Sequence, residues 1–122
     1  MGLIKLAKRA YYKKMADAHA RSADKLVEVN TYFQTQHGAV DNSTTISRET
    51  LASKIDSHIK NKNTPLFAVK SLKRIREELA LGPSKYDLHS RHELLELAEI
   101  LLKAAKRHSQ NSSEYLKKIG SN

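Results

Sequence analysis

The six histidines and thirteen carboxylates are the side chains of this 122-residue sequence with most chemistry available to them, and their spacing argues against a catalytic centre. His89-x-x-His92, with Asp87 and Glu93 beside it, is the nearest approach to a metal site. Two imidazoles at i and i+3 can share a metal on a formed helical turn. These two straddle a predicted helix start, however, and no distant His or acidic pair repeats the spacing. They are read as surface residues, and no metal is expected. His19, His37, His58 and His108 stand alone along the chain. Glu77 and Glu78 are adjacent, and adjacent side chains on a helix do not face each other, so they cannot share a proton. Cysteine is absent, which removes thiolate nucleophiles, disulfide scaffolds and cysteine zinc sites. Neither G-x-S-x-G, nor a glycine-rich phosphate loop, nor H-E-x-x-H occurs. The expectation is a protein with no catalytic residues and no cofactor, not an enzyme, that works by binding.

Cations say more about what it binds. The formal net charge is +9, a balance suited to nucleic acid, an anionic membrane or an acidic protein surface. It is unevenly placed. Residues 1–37 hold seven Lys/Arg against three acids, residues 48–76 hold eight against two, and from Glu77 onward there are seven of each sign. Two clusters stand out. Lys5, Lys8, Arg9, Lys13 and Lys14 precede the first acid, Asp17; Lys60, Lys62, Lys70, Lys73, Arg74 and Arg76 lie between Asp56 and Glu77. Lysines in a loop beside a basic helical face match the charge of a phosphate backbone. Lys60, Lys62, Lys70, Lys73 and Arg74 are therefore the first expected phosphate contacts, with Arg48, Lys5, Lys8, Arg9 and Lys13 extending the footprint on DNA or RNA.

The N-terminal segment keeps other readings open. Leu3, Ile4, Leu6, Ala7, Ala10, Tyr11 and Met15 lie opposite Lys5, Lys8, Arg9 and Tyr12 on a helix. Such a stripe suits packing within the chain or a seam between two copies, with Leu3, Leu6 and Tyr11 as the interface. It equally suits an anionic membrane surface. A second function class follows: a helical adaptor or inhibitor that docks on an acidic protein or self-associates. No apolar window is long enough to span a bilayer, and Lys5, Lys8 and Arg9 interrupt anything like a secretory signal. A cytoplasmic or nucleoid-associated location is expected.

The run Thr45-Ile46-Ser47-Arg48-Glu49-Thr50-Leu51-Ala52-Ser53-Lys54-Ile55 resembles one helix of a helix-turn-helix protein, its Ser-Arg-Glu-Thr being similar to recognition helices of cyclic-AMP-receptor-type regulators. The resemblance implies that Arg48 and Glu49 read base edges. That family places a short helix and a glycine turn immediately before the run, whereas Gly38 to Thr44 reads here as a loop. Taken instead as the first helix of the pair, the run leaves Phe67 to Arg74 as the recognition helix, after a connection of seven residues.

These residues must be carried by helices, since only four Gly and two Pro punctuate the chain. Residues 3–37 contain neither and predict one long helix ending at Gly38, although the apolar stripe turns between Ala16 and Ala23. Either the helix kinks there or its two halves pack on different partners, and Ser22 is the cap of a second helix if there is a break. Leu51, Ile55 and Ile59 mark a helix from about Ser47 to Lys60. Thr64-Pro65 opens one carrying Ala68, Leu72, Ile75 and Leu79, stopped by Gly82-Pro83. The capping box Ser90-x-x-Glu93 starts the most apolar helix. Ser109-Gln110-Asn111-Ser112 reads as a loop before a short helix from Ser113 to Ile119. The expected fold is all-α: a single domain over 1–122, with a long basic amphipathic helix at 1–37 and a core bundle at 46–122. It has four main helices and a short C-terminal fifth.

Overall fold

The structure, a computed structural model, describes residues 2–39, 48–81 and 91–120. Four helices account for it: α1 (Gly2–Ala39), α2 (Arg48–Lys60), α3 (Leu66–Leu81) and α4 (Arg91–Gly120). Among the described residues there is no strand, and the chain is all-α as its composition predicts.

The frame is α1 against α4. Along α1 the buried positions Ala16, His19, Ala23, Leu26, Asn30 and Phe33 are spaced three and four residues in alternation. Along α4, Leu94, Ala98, Leu101, Ala105, His108 and Ser112 follow the same rule. That 3.5-residue repeat is the one that keeps two helices in contact along a shallow crossing. Hydrogen bonds couple Ala16 to Ser112, His19 to His108 and Asn30 to Ala98, so numbers rise on one helix as they fall on the other. The pair is antiparallel. Alanines at four of these positions let the backbones approach closely.

The shorter helices form a hairpin on one side of this pair. Phe67 at the start of α3 lies against His19 and His108, while Ile75 further on shares a cleft with Ile100 and Leu101. Thus α3 runs parallel to α1 and antiparallel to α4. It buries Ala68, Leu72, Ile75 and Leu79, and α2 contributes Leu51, Ala52 and Ile55. The turn between them is tied down by the Thr64 hydroxyl, which donates to the His58 carbonyl, and by the Asn63 amide, which donates to Asn61 Oδ1. Because α3 begins level with His19, the N-terminal turns of α1 and the last turns of α4 extend beyond it.

Several expectations are corrected. Among the described residues there are four helices, and no fifth begins at Ser113: α4 runs unbroken through Ser109-Gln110-Asn111-Ser112 to Gly120. The polar run holds its helix because Ser112 is buried and its hydroxyl donates to the Ala16 carbonyl, 2.8 Å away. Serine and asparagine cost only tenths of a kcal/mol each in a helix, roughly 0.5, and a packed seam outweighs that. Nor does α1 break near Ala16–Ala23. Ser22 caps nothing, and its hydroxyl instead donates back to the Ala18 carbonyl at 2.7 Å inside a continuous helix of 38 residues. Gly38 lies within α1, and no described glycine has positive φ. The core is also not confined to residues 46–122, since Leu26, Val29 and Phe33 of α1 belong to it. The α2–α3 connection covers 61–65, five residues where the helix-turn-helix reading counts seven. Gly82-Pro83, Ser90, and the segment before Arg48 lie outside the described residues.

Leu101 is fully buried at the centre of the seam, whereas Leu3 is 84% exposed. Leu101→Ala is expected to destabilise the fold by about 2–5 kcal/mol, and Leu3→Ala to change it by less than about 0.5 kcal/mol, as read by urea denaturation.

Candidate nucleic-acid interface

The cations of α3 divide by helical position. Arg76 turns toward α2, where its Nε donates to both Asp56 carboxylate oxygens at 3.1 and 3.2 Å. Lys70, Lys73 and Arg74 point away from the core and are exposed. Among the described residues they form no ion pair, and neither Glu77 nor Glu78 closes one with Lys73 or Arg74 at i+4. Arg74 also borders a cleft of about 200 Å³ between α3 and α4, opposite Lys103 and Arg107. The floor is apolar, made by Ile75, Ile100, Leu101 and Ala104, and Ser71 adds a hydroxyl. Three cations from two helices thus rim one groove. Lys60 and Lys62 are exposed at and beyond the C-terminal end of α2, beside this surface in sequence but on the turn of the hairpin. The Arg48 side chain lies outside the described residues.

Lys103 and Arg107 do not stand out in the sequence, where everything after Glu77 sums to neutral. The sign of a surface depends on which flank each charge occupies. On α4, positions 103, 107, 111, 114 and 118 fall on one stripe at i+4 and i+3 steps, carrying Lys, Arg, Asn, Glu and Lys. Glu99 and Lys103, spaced for an i, i+4 pair, do not close one among the described residues, which leaves Lys103 to the groove.

The first basic cluster sits elsewhere. Lys5, Lys8, Arg9, Lys13 and Lys14 are exposed on the turns of α1 that extend past the start of α3. Leu3, Ile4 and Leu6 are 84%, 63% and 61% exposed there, so among the described residues the predicted interface residues Leu3 and Leu6 are left open. Interleaved with this cluster, on the groove side of Lys5, Lys8 and Arg9, is a set of rings joined by Tyr115 of α4. Tyr11, Tyr12 and Tyr115 have ring centroids 5.8 to 6.3 Å apart, and the Lys118 ammonium stands 5.6 Å from the Tyr12 centroid and 5.0 Å from that of Tyr115. Tyr115 stacks in turn toward His19 at 5.8 Å, and His19 on Phe67 at 4.2 Å. Tyr11, expected at a partner interface, is the most open ring of this cluster at 53% exposure. Burial and the neighbouring Tyr11 hold the Tyr115 phenol above its ordinary range.

At the foot of the cluster, His19 Nδ1 and His108 Nδ1 are 2.8 Å apart in the α1–α4 seam. A hydrogen bond between two ring nitrogens needs one proton, so one imidazole donates from Nδ1 and the other accepts with a bare Nδ1. Burial lowers the pKa of both, and for His108 the neighbouring His19 and Arg107 add to it. His58 is also lowered, by burial and then by Lys25. Buried in the α1–α4 seam, the pair braces the packing of these helices. Of the predicted motif His89-x-x-His92, His89 and the side chain of His92 lie outside the described residues, and among those that are described no three His, Asp or Glu are grouped to hold a metal. No helix among them is long and apolar enough to cross a membrane.

Compared with known proteins, the chain matches no family model, no curated protein and no solved structure. Its class is therefore what fold and surface define: an all-α protein with a basic groove between α3 and α4 and a tyrosine cluster at the open end of the α1–α4 pair.

Histidines whose pKa is lower in the folded chain bind fewer protons there than when unfolded, so their contribution is complete above the unfolded value of 6.5 and is lost as pH falls below it. The melting temperature should fall between about pH 7 and pH 5, before the carboxylates titrate. His19→Gln with His108→Gln should flatten that fall, and a wild-type profile already flat over the interval would contradict the histidine pair as its cause.

Proposed function

We propose that this protein is a non-enzymatic nucleic-acid-binding or nucleoprotein-associated factor, a single helical domain that works in the cytoplasm or nucleoid. The observation that supports this best is the convergence of Arg74 with Lys103 and Arg107 on one groove, flanked by the exposed Lys70 and Lys73. Like charges brought together without carboxylate partners among the described residues raise the local potential and repel one another. A polyanion relieves that repulsion and releases its own condensed counterions on binding. Lys60 and Lys62 on the α2–α3 turn, and beyond them the N-terminal Lys5, Lys8, Arg9 and Lys13, add exposed positive charge toward the end of the molecule where α3 begins.

With about five phosphate contacts, raising salt from about 50 to 200 mM should weaken binding on the order of 10²- to 10³-fold. Arg74→Glu with Arg107→Glu should weaken binding to every sequence alike and reduce the salt slope by about one for each phosphate no longer neutralised. Titration of labelled duplex, single-stranded DNA and RNA checks both. Negligible binding to all three at low salt would end this reading.

A second reading has its own observation. Leu3, Ile4 and Leu6 are exposed on one helical end amid lysines, the pattern of a surface that meets a protein partner or a second copy of the chain. On that reading, Leu3→Ser with Leu6→Ser abolishes a concentration-dependent increase in mass, whereas Lys70→Glu with Arg74→Glu leaves it intact. A mass independent of concentration up to about millimolar would remove self-association.

A further inference from the structure

The tyrosine cluster lies between the groove and the outer N-terminal cations Lys5, Lys8 and Arg9, and this order along the molecule constrains what kind of nucleic acid fits. Along α4, Arg107 at the groove and Lys118 at the cluster share one flank, about 17 Å apart at about 1.5 Å per residue. Only Asn111 and the acidic Glu114 intervene on that stripe. Beyond Lys118, the α1 turns bearing Lys8 and Arg9 continue the positive surface. The Tyr11 ring is more than half exposed, and Tyr12 and Tyr115 are partly so. A rigid duplex turns its bases inward and presents only phosphates and groove edges to such a surface. A single strand can instead lay a base face on an aromatic ring while the phosphates on either side meet cations. Lys118 already stands over two of the rings, within reach of a phosphate beside any base stacked there.

We propose that the protein selects single-stranded over double-stranded nucleic acid by stacking bases on Tyr11 and Tyr12, with Lys118 and Arg107 holding the flanking phosphates. This rests on the nucleic-acid reading above and adds to it the strand form and the residues that choose it. Hydrogen bonding to base edges plays no part, so the preference is for strand form and not for sequence. Five tyrosines and no tryptophan make the site its own reporter, since three of the five belong to the cluster.

The test uses the full chain with a labelled twelve-nucleotide oligo(dT) and a duplex of equal length, at low salt. The single strand should bind more tightly and quench tyrosine fluorescence. Tyr11→Ala with Tyr12→Ala should lower single-strand affinity by roughly 5- to 150-fold for each base that can no longer stack, and leave duplex binding within about twofold. Tyr11→Phe with Tyr12→Phe, which keeps the rings, should restore the affinity and shows that a folded chain is being measured. Arg74→Glu with Arg107→Glu should weaken both ligands. If the Tyr→Ala variant binds oligo(dT) like the wild type, or the duplex binds as tightly as the single strand, the stacking site is overturned while the electrostatic reading stands. If neither ligand binds, both fall together.

Discussion

The hydrogen bond between His19 and His108 sits where three helices meet, and it sets how α1, α3 and α4 stand against one another. It closes the α1–α4 seam from 89 residues apart in sequence, and its rings form the platform on which Phe67 lands. The other polar contacts of the seam, Ser112 to the Ala16 carbonyl and Asn30 to the Ala98 carbonyl, lie on either side of it. An apolar seam of alanine and leucine would tolerate sliding by a heptad or reversal of one helix. Buried polar groups do not, because a shift leaves each of them desolvated without a partner. Three such contacts at fixed offsets admit one register and one orientation.

That register decides the surface. It sets Phe67, and with it the start of α3, at the level of His19, so Arg74 comes opposite Lys103 and Arg107. It also leaves the ends of α1 and α4 free of α3, which is where Tyr11, Tyr12 and Tyr115 gather. Placing cations together costs stability through mutual repulsion, which the core offsets with Leu26, Phe33, Leu72 and Leu101 fully buried. Scaffold and candidate binding surface are therefore different faces of the same helices, not different parts of the chain.

The helices of the hairpin are legible in the sequence because apolar side chains announce their own periodicity. Leu51 and Ile55, and Ala68, Leu72, Ile75 and Leu79, are buried as their spacing predicts. The seam is half hidden for a physical reason. A buried Ser, His or Asn looks the same in sequence as a solvated one, and the partner that makes its burial tolerable lies 68 to 96 residues away. Ser22 therefore suggests a break and Ser109–Ser112 a loop, although both are continuous helix. The exposed lysines of α3 are legible because they oppose an apolar stripe on their own helix. Lys103, Arg107 and Tyr115 are not, because their roles depend on which neighbour lies across from them. The periodic stripe 103, 107, 111, 114, 118 is the available signal, and summing charge over whole segments averages it away.

Nitrogen-resolved NMR of the imidazole rings tests the seam most directly, since the hydrogen bond fixes their tautomers. One of His19 and His108 should be protonated at Nδ1 and the other bare at Nδ1, with through-space contacts from His19 to both Phe67 and Tyr115. Two rings in the ordinary Nε2–H tautomer, without those contacts, would mean that the seam is assembled differently and that the groove and the tyrosine cluster do not form where these helices place them.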